Sequence, residues 1–201
     1  CKRIYIKTNK MILPIVAYGN DILKSKCNFI RSDYCGLEKL INDMWETMYN
    51  ASGVGLAAPQ IGKNIRLFIV DASPFSDDKE IDINERKKLL GFKKVFINPQ
   101  IVWSSSKKCS FNEGCLSIPD IREEVSRDDE IEIHFVDENF NQKKLKLDGL
   151  CARVVLHEYD HIEGILFTDK ISSFKRKLLN NKLKKISKGK IQLSYPMIFK
   201  K

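Results

Sequence analysis

His157, Glu158 and His161, in the run HEYDH, have the types and the spacing to build a metal site. On a helix, residues four apart lie one turn apart on the same face, so both imidazoles can reach one ion. Glu158 follows the first histidine and can reach water beside that ion without ligating it. A bound divalent ion lowers the pKa of its water toward neutrality, and a neighbouring carboxylate can take the proton. The flanks, VVL and IEGILF, are apolar. Burying two histidines and a glutamate there without a partner would be costly. The run therefore points to a metal-dependent hydrolase rather than to a chance match in a charged helix.

A catalytic metal usually has three protein ligands. One hydrolase pattern places a third histidine six residues past the second, but that position is Phe167. Glu163 is too close to His161 and points elsewhere, and His134 falls on a candidate strand, where a lone histidine is usually a polar surface residue. Cys115, in NEGCLSIP, is open between two readings. A thiolate suits zinc or ferrous iron, whereas an isolated cysteine is more often a buried core residue. Glu113 and Gly114 beside it lean toward function. A third run, GVGLAAPQIG at 53–62, lacks the lysine of a phosphate loop and does not match the dinucleotide fingerprint. Its Gln60, in an apolar stretch, is either a satisfied structural amide or a donor aimed at a substrate carbonyl.

The elements that must hold these residues follow from periodicity. Leu37, Leu40, Ile41, Met44 and Met48 predict a helix over 36–50, with Ser32 or Asp33 as its cap. Strands are predicted at 66–71, at 95–103 in two pieces broken at Pro99, at 131–135 and at 142–148. Asp137 to Asn139 form a hairpin turn between the last two. A buried helix runs over 149–162 and a lysine-rich helix over 172–187, with Gly164 following the first. The fold class is α+β, with antiparallel strands packed around a buried metal-binding helix, in one catalytic domain spanning 1–201. Residues 73–91 read as an exposed, mobile insertion and 188–201 as a C-terminal extension.

Composition bounds the rest. The chain has 201 residues, 43% hydrophobic and 30% charged, with no apolar run long enough for a membrane helix. Its net charge of +9 rests on lysine, more in keeping with a compositional bias than with specific DNA binding. The six cysteines are scattered, so free thiols in a reducing compartment are expected. A start at Cys1 reads as a processed or truncated product.

GVGLAAPQ, EGCLS and HEYDH, in that order, resemble the three motifs of the peptide deformylase family, and the likeness extends over roughly 13–185. It implies a hydrolase that removes the formyl group from the N-terminal formylmethionine of nascent polypeptides and releases formate. By that resemblance Cys115, His157 and His161 hold one divalent metal, natively ferrous iron, with zinc, cobalt or nickel able to replace it. Glu158 is the base, and the Gln60 side chain and Leu116 N–H stabilise the oxyanion. The peptide lies along Val54, Gly55 and Gly114. Arg122 meets its backbone, and Leu150 and Val154 wall the methionine pocket. Arg127 is expected to pair with Glu113. Arg153, next to Val154, either narrows that pocket or turns outward to solvent. Gly19-Asn20 replaces the family's usual Pro-Asp-Pro. The implied partners are formylmethionyl peptides and, through the basic helix Lys175 to Lys188, the ribosome. The implied compartment is a plastid-type organelle, with a bacterial cytoplasm as the alternative. A general metallopeptidase and a non-catalytic RNA-binding module are the competing readings.

Overall fold

The computed structural model describes residues 11–200, so Cys1 lies outside the described residues. In chain order the elements are β1 (Ile15–Val16), α1 (Leu37–Asn50), β2 (Gly55–Ala57), β3 (Leu67–Asp71), α2 (Ile83–Leu90), β4 (Lys93–Ser104), β5 (Lys108–Cys115), β6 (Ile118–Asp128), β7 (Glu130–Val136), β8 (Gln142–Asp148), α3 (Gly149–Ile162), α4 (Phe167–Lys170), α5 (Ser173–Ser187) and β9 (Met197–Ile198). Single 3-10 turns fall at Asp21–Lys24, Ala58–Ile61 and Ser73–Asp77. The α+β class expected from the sequence is the one observed.

A five-stranded sheet in the order β2-β3-β4-β7-β8 is antiparallel throughout. Side chains alternate across a strand, so β3 feeds the cores on both faces of the sheet. Leu67 and Ile69 join Leu56, Met44 and Met48 under α1, whereas Phe68 and Val70 join Ala57, Val154 and Val155 under α3. The sheet is thus covered by a helix on each face, and all five residues of β3 are buried. Phe68 and Phe96 are direct cross-strand partners with ring centroids 4.7 Å apart, and Phe135 lies 4.4 Å beyond Phe96. Such pairs add about 0.5–1.5 kcal/mol each beyond area burial, which fixes the register beneath α3. Beside this sheet β5 and β6 form a hairpin, and β1 pairs in parallel with β9.

Two local expectations are corrected. The cap of α1 is Gly36, at φ +75°, with no side-chain bond from Ser32 or Asp33. The segment broken at Pro99 is one strand, β4, whose register shifts between Ile97 and Gln100. Asn98 there has φ +51° and bonds Ile30 through both side-chain atoms, so a bulge absorbs the proline instead of ending the strand. The segment 73–91 carries a helix. Asp82 caps α2 by accepting from the Asn84 and Glu85 N–H groups, and Leu89 is fully buried in the core. From α2, Glu85 accepts the Leu150 N–H at 3.3 Å, which satisfies an otherwise free donor at the start of α3. This segment therefore helps to anchor the start of α3.

The hairpin between β7 and β8 is held by Asp137, whose carboxylate accepts from the Asn139 and Asn141 N–H groups. The described cysteines, Cys27, Cys35, Cys109, Cys115 and Cys151, are all free thiols. No helix among the described residues is long and apolar enough to cross a membrane.

Candidate metal centre and groove

Helix α3 spans the range its apolar pattern predicts, and it sets the His157 and His161 rings 5.1 Å apart. The end of β5 delivers Cys115, whose Sγ lies 3.2 Å from His161 Nε2. One ligand atom from each of the three lies within 4.8 Å of the others. A thiolate and two imidazoles this close fit a divalent metal. His134 stays on β7, paired with Glu132, well outside the cluster. Phe167 stacks on the His157 ring at 6.2 Å and walls the histidine in.

The ligands are held by a buried ionic network. His157 Nδ1 donates to Glu113 Oε2 at 2.9 Å, which leaves Nε2 as the ligating nitrogen. Glu113 also takes Arg127 Nε on Oε1 at 2.6 Å and Arg127 Nη2 on Oε2 at 2.9 Å, so the expected Arg127–Glu113 pair is bidentate. Arg127 reaches on to Asp160 of α3. Burial alone would raise the Glu113 carboxyl, but the Arg127 and His157 bonds outweigh it and hold the group well below the usual carboxylate range.

Of the two roles expected of Arg153, facing solvent is excluded, and narrowing the pocket is in keeping with its place in the groove lining. At 6% exposure it turns in beneath the metal loop, donating to Glu113 Oε1 at 2.9 Å, to the Val125 carbonyl at 3.0 Å and to the Cys109 carbonyl. Its reason for being buried is that second bond to Glu113, which a sequence pattern does not display.

The metal cluster opens into a groove of about 520 Å³. Val54, Gly55, Gly114, Leu116, Arg122 and Val154, all expected at the substrate, line it together with Gln60 and Glu158. Leu150 does not. It lines a separate cavity of about 320 Å³, and Arg153 with Phe111 borders both spaces and so stands between them. Phe75 and Phe111 meet edge to face at 6.3 Å, and both line the groove. Neither aromatic had a motif to announce it. Tyr195, from the C-terminal extension, lines the groove as well.

Two polar groups face the cluster. Gln60 is buried, with Oε1 accepting the Ala57 N–H at 2.8 Å. That bond fixes the amide, so Nε2 is the end presented to Cys115 Sγ at 3.5 Å and to Ser117 Oγ at 3.3 Å. Glu158 is 4% exposed, and one carboxylate oxygen has no partner among the described residues. Burial pushes its carboxyl up to about 7, against the pull of His157 and Arg127. A carboxylate of that strength, one residue from a metal ligand, is suited to exchange protons near neutral pH. Gly55 makes the room for it. A Cβ built there would lie 2.8 Å from Glu158 Cγ and closer still to its carboxylate.

Residues 12–177 match the sequence model of the polypeptide deformylase family. A peptide deformylase of Christiangramia forsetii is 56% identical over 189 residues, covering 94% of this chain and 96% of its own. Among solved structures, a peptide deformylase from Ehrlichia chaffeensis superposes with a TM-score of 0.78 at 33% identity, over 89% of this chain and 98% of its own. One from Arabidopsis thaliana in complex with an inhibitor gives 0.76 at 32%, over 89% and 92%. A likeness of this extent, in sequence and in backbone alike, gives the triad and its groove a lineage: the chain belongs to the polypeptide deformylase family.

Proposed function

We propose that this enzyme hydrolyses the N-terminal formamide of formylmethionyl polypeptides, releasing formate and a free amino terminus. The observation that carries the reading is the junction of Cys115, His157 and His161 with Glu158 and Gln60 beside a groove of about 520 Å³. A divalent ion held by the three ligands, ferrous iron in this proposal with zinc, cobalt or nickel as substitutes, supplies Lewis-acid polarisation and a lowered water pKa.

The chain's own groups do the remainder. The peptide runs as an added strand against Val54, Gly55 and Gly114, with Arg122 at its backbone. Gln60 Nε2 and the Leu116 N–H donate to the carbonyl oxygen as water adds to the formyl carbon and negative charge develops. Glu158 takes the proton of that water and returns it to the amine nitrogen as the C–N bond breaks. Val154, Phe75 and Phe111 receive the methionine side chain, whose burial is worth about 1.5–3 kcal/mol and whose thioether suits an aromatic wall.

A formyl group presents only hydrogen where other acyl groups present carbon, and discrimination is therefore steric at the metal. Formyl-Met, acetyl-Met and unblocked Met peptides offered side by side should show cleavage of the first alone. Equal cleavage of all three would instead indicate a general amidase or metallopeptidase. The exposed Lys177, Lys182, Lys184 and Lys185 of α5 support, within the same proposal, an approach to the acidic ribosome. The 56% identity to a bacterial relative favours a bacterial cell over a plastid-type organelle as the setting.

Gly55 provides a test that deletes none of the proposed catalytic side chains but moves one of them. Gly55→Ala should fold, because the crowded neighbour is a side chain rather than backbone. The displaced Glu158 carboxylate should lower kcat by about a hundredfold, the scale expected for a misplacement near 1 Å. Unaltered turnover in that variant would mean that the carboxylate position does not matter.

A further inference from the structure

The turn that carries the proposed oxyanion donor is tied at three successive residues, and one tie comes from the far end of the chain. Between β5 and β6 the ladder is irregular: Gly114 pairs with Arg122, but Cys115 pairs with Ile118, so Leu116 and Ser117 form a tight turn. Strand pairing therefore does not fix the Leu116–Ser117 peptide plane. Gln60 Nε2 contacts Cys115 Sγ and Ser117 Oγ, and the Tyr18 N–H donates to the Ser117 carbonyl at 2.9 Å. The remaining carbonyl, that of Leu116, accepts the Tyr195 hydroxyl at 2.8 Å.

Tyr195 is positioned for this by β9. The Ile15 N–H donates to the Pro196 carbonyl at 2.9 Å and the Ala17 N–H to the Ile198 carbonyl at 2.8 Å. Ile15 pairs with Met197 and Val16 with Ile198, a register that brings the residue before Pro196 to the turn. Burial, with Cys115 and Asp120 nearby, pushes the phenol up to about 12. It therefore remains a protonated donor at neutral pH. Tyr195 lies beyond residues 12–177, the stretch that the family model matches.

We propose that Tyr195 is a positioning residue: by holding the Leu116 carbonyl it fixes the Leu116–Ser117 peptide, and so steadies from its far side the turn whose preceding peptide carries the Leu116 N–H. The C-terminal strand is then a working part of the active site rather than an appendage. The catalytic half of this inference rests on the reading of Leu116 as an oxyanion donor; the structural half, an ordered turn, does not.

Tyr195→Phe removes one oxygen atom and keeps the ring. The metal-loaded variant should lose about two- to tenfold in kcat on a formyl-Met peptide, the range of one net hydrogen bond. KM and metal content should stay at parental values, and the thermal midpoint should fall by no more than the few degrees that one hydrogen bond accounts for. Amide hydrogen exchange should quicken at Tyr18, whose N–H is held by the Ser117 carbonyl of the turn, while α3 is unaffected. Parental kcat together with parental exchange at Tyr18 would overturn the proposal, as would a kcat loss matched by a loss of metal or by a fall in thermal midpoint well beyond those few degrees. If the parent itself does not cleave formyl-Met, the deformylase reading fails, and the exchange measurement still decides whether Tyr195 orders the turn. Tyr195→Ala, which also removes a groove wall, should add a rise in KM that Tyr195→Phe lacks.

Discussion

Glu158→Ala should lower turnover of a formyl-Met peptide by about 10²–10⁴-fold, the usual contribution of a positioned general base. Metal content should remain parental, since Glu158 is not among the three clustered ligands. The thermal midpoint should hold or rise. One oxygen of this carboxylate is buried without a partner among the described residues, and burial has already pushed its pKa up to about 7. An unsatisfied buried polar group costs about 1–3 kcal/mol, so removing it relieves a strain that the fold otherwise carries. Lost activity with undiminished stability is the signature of a residue kept for chemistry. A parallel fall in turnover, metal content and stability would assign Glu158 to structure, and unchanged turnover would move the proton transfer elsewhere. The non-catalytic RNA-binding reading makes the opposite forecast, because it gives this carboxylate no function to lose.

Much of the site was legible because its signals are local. The spacing of His157 and His161 needs only a helix to become a metal face, and the apolar run around them gave α3 its observed limits. Alternation did the same for β7, where Ile131, Ile133 and Phe135 are buried and their neighbours are not. Illegible features depend on partners distant in sequence. Arg153 looks like a misplaced charge on an apolar helix until Glu113 is brought against it by the β5–β6 hairpin. Phe75 sits in a polar segment whose only helical cue is Asp82 as a cap, yet it reaches the groove. Leu150 has the right helical phase to accompany Val154, but Phe111 and Arg153 intervene. Tyr195 has no motif at all, and only the pairing of β1 with β9 gives it a position. Periodicity states which face is buried; it does not state what meets that face.

Glu113→Ala should be the most damaging single change outside the ligands, for reasons of charge. Glu113 is 4% exposed and is the shared partner of Arg127, Arg153 and His157. Its removal leaves Arg153 with only backbone carbonyls and Arg127 with Asp160 and the Leu156 carbonyl. Breaking a buried pair by deleting one member costs about 3–5 kcal/mol, and at about 2–4 °C per kcal/mol for a chain of this size the thermal midpoint should drop by roughly 6–20 °C. Loss of the His157 Nδ1 partner should weaken metal binding by about 10–100-fold, which competition with a chelator measures directly. The pH dependence takes its sign from the shift. The folded carboxyl lies below its ordinary value of 4.5, so its stabilisation is complete above that value and is lost as pH falls below it. Glu113→Ala should therefore flatten the acid limb of the stability curve as well as lower its plateau. A variant with parental midpoint and metal affinity would show that the two arginines find other partners and that the network is dispensable. The asymmetry with Glu158 is physical: both carboxylates are buried, but one is paired with cations, whereas the other has an oxygen with no partner among the described residues, as the proposed proton transfer requires.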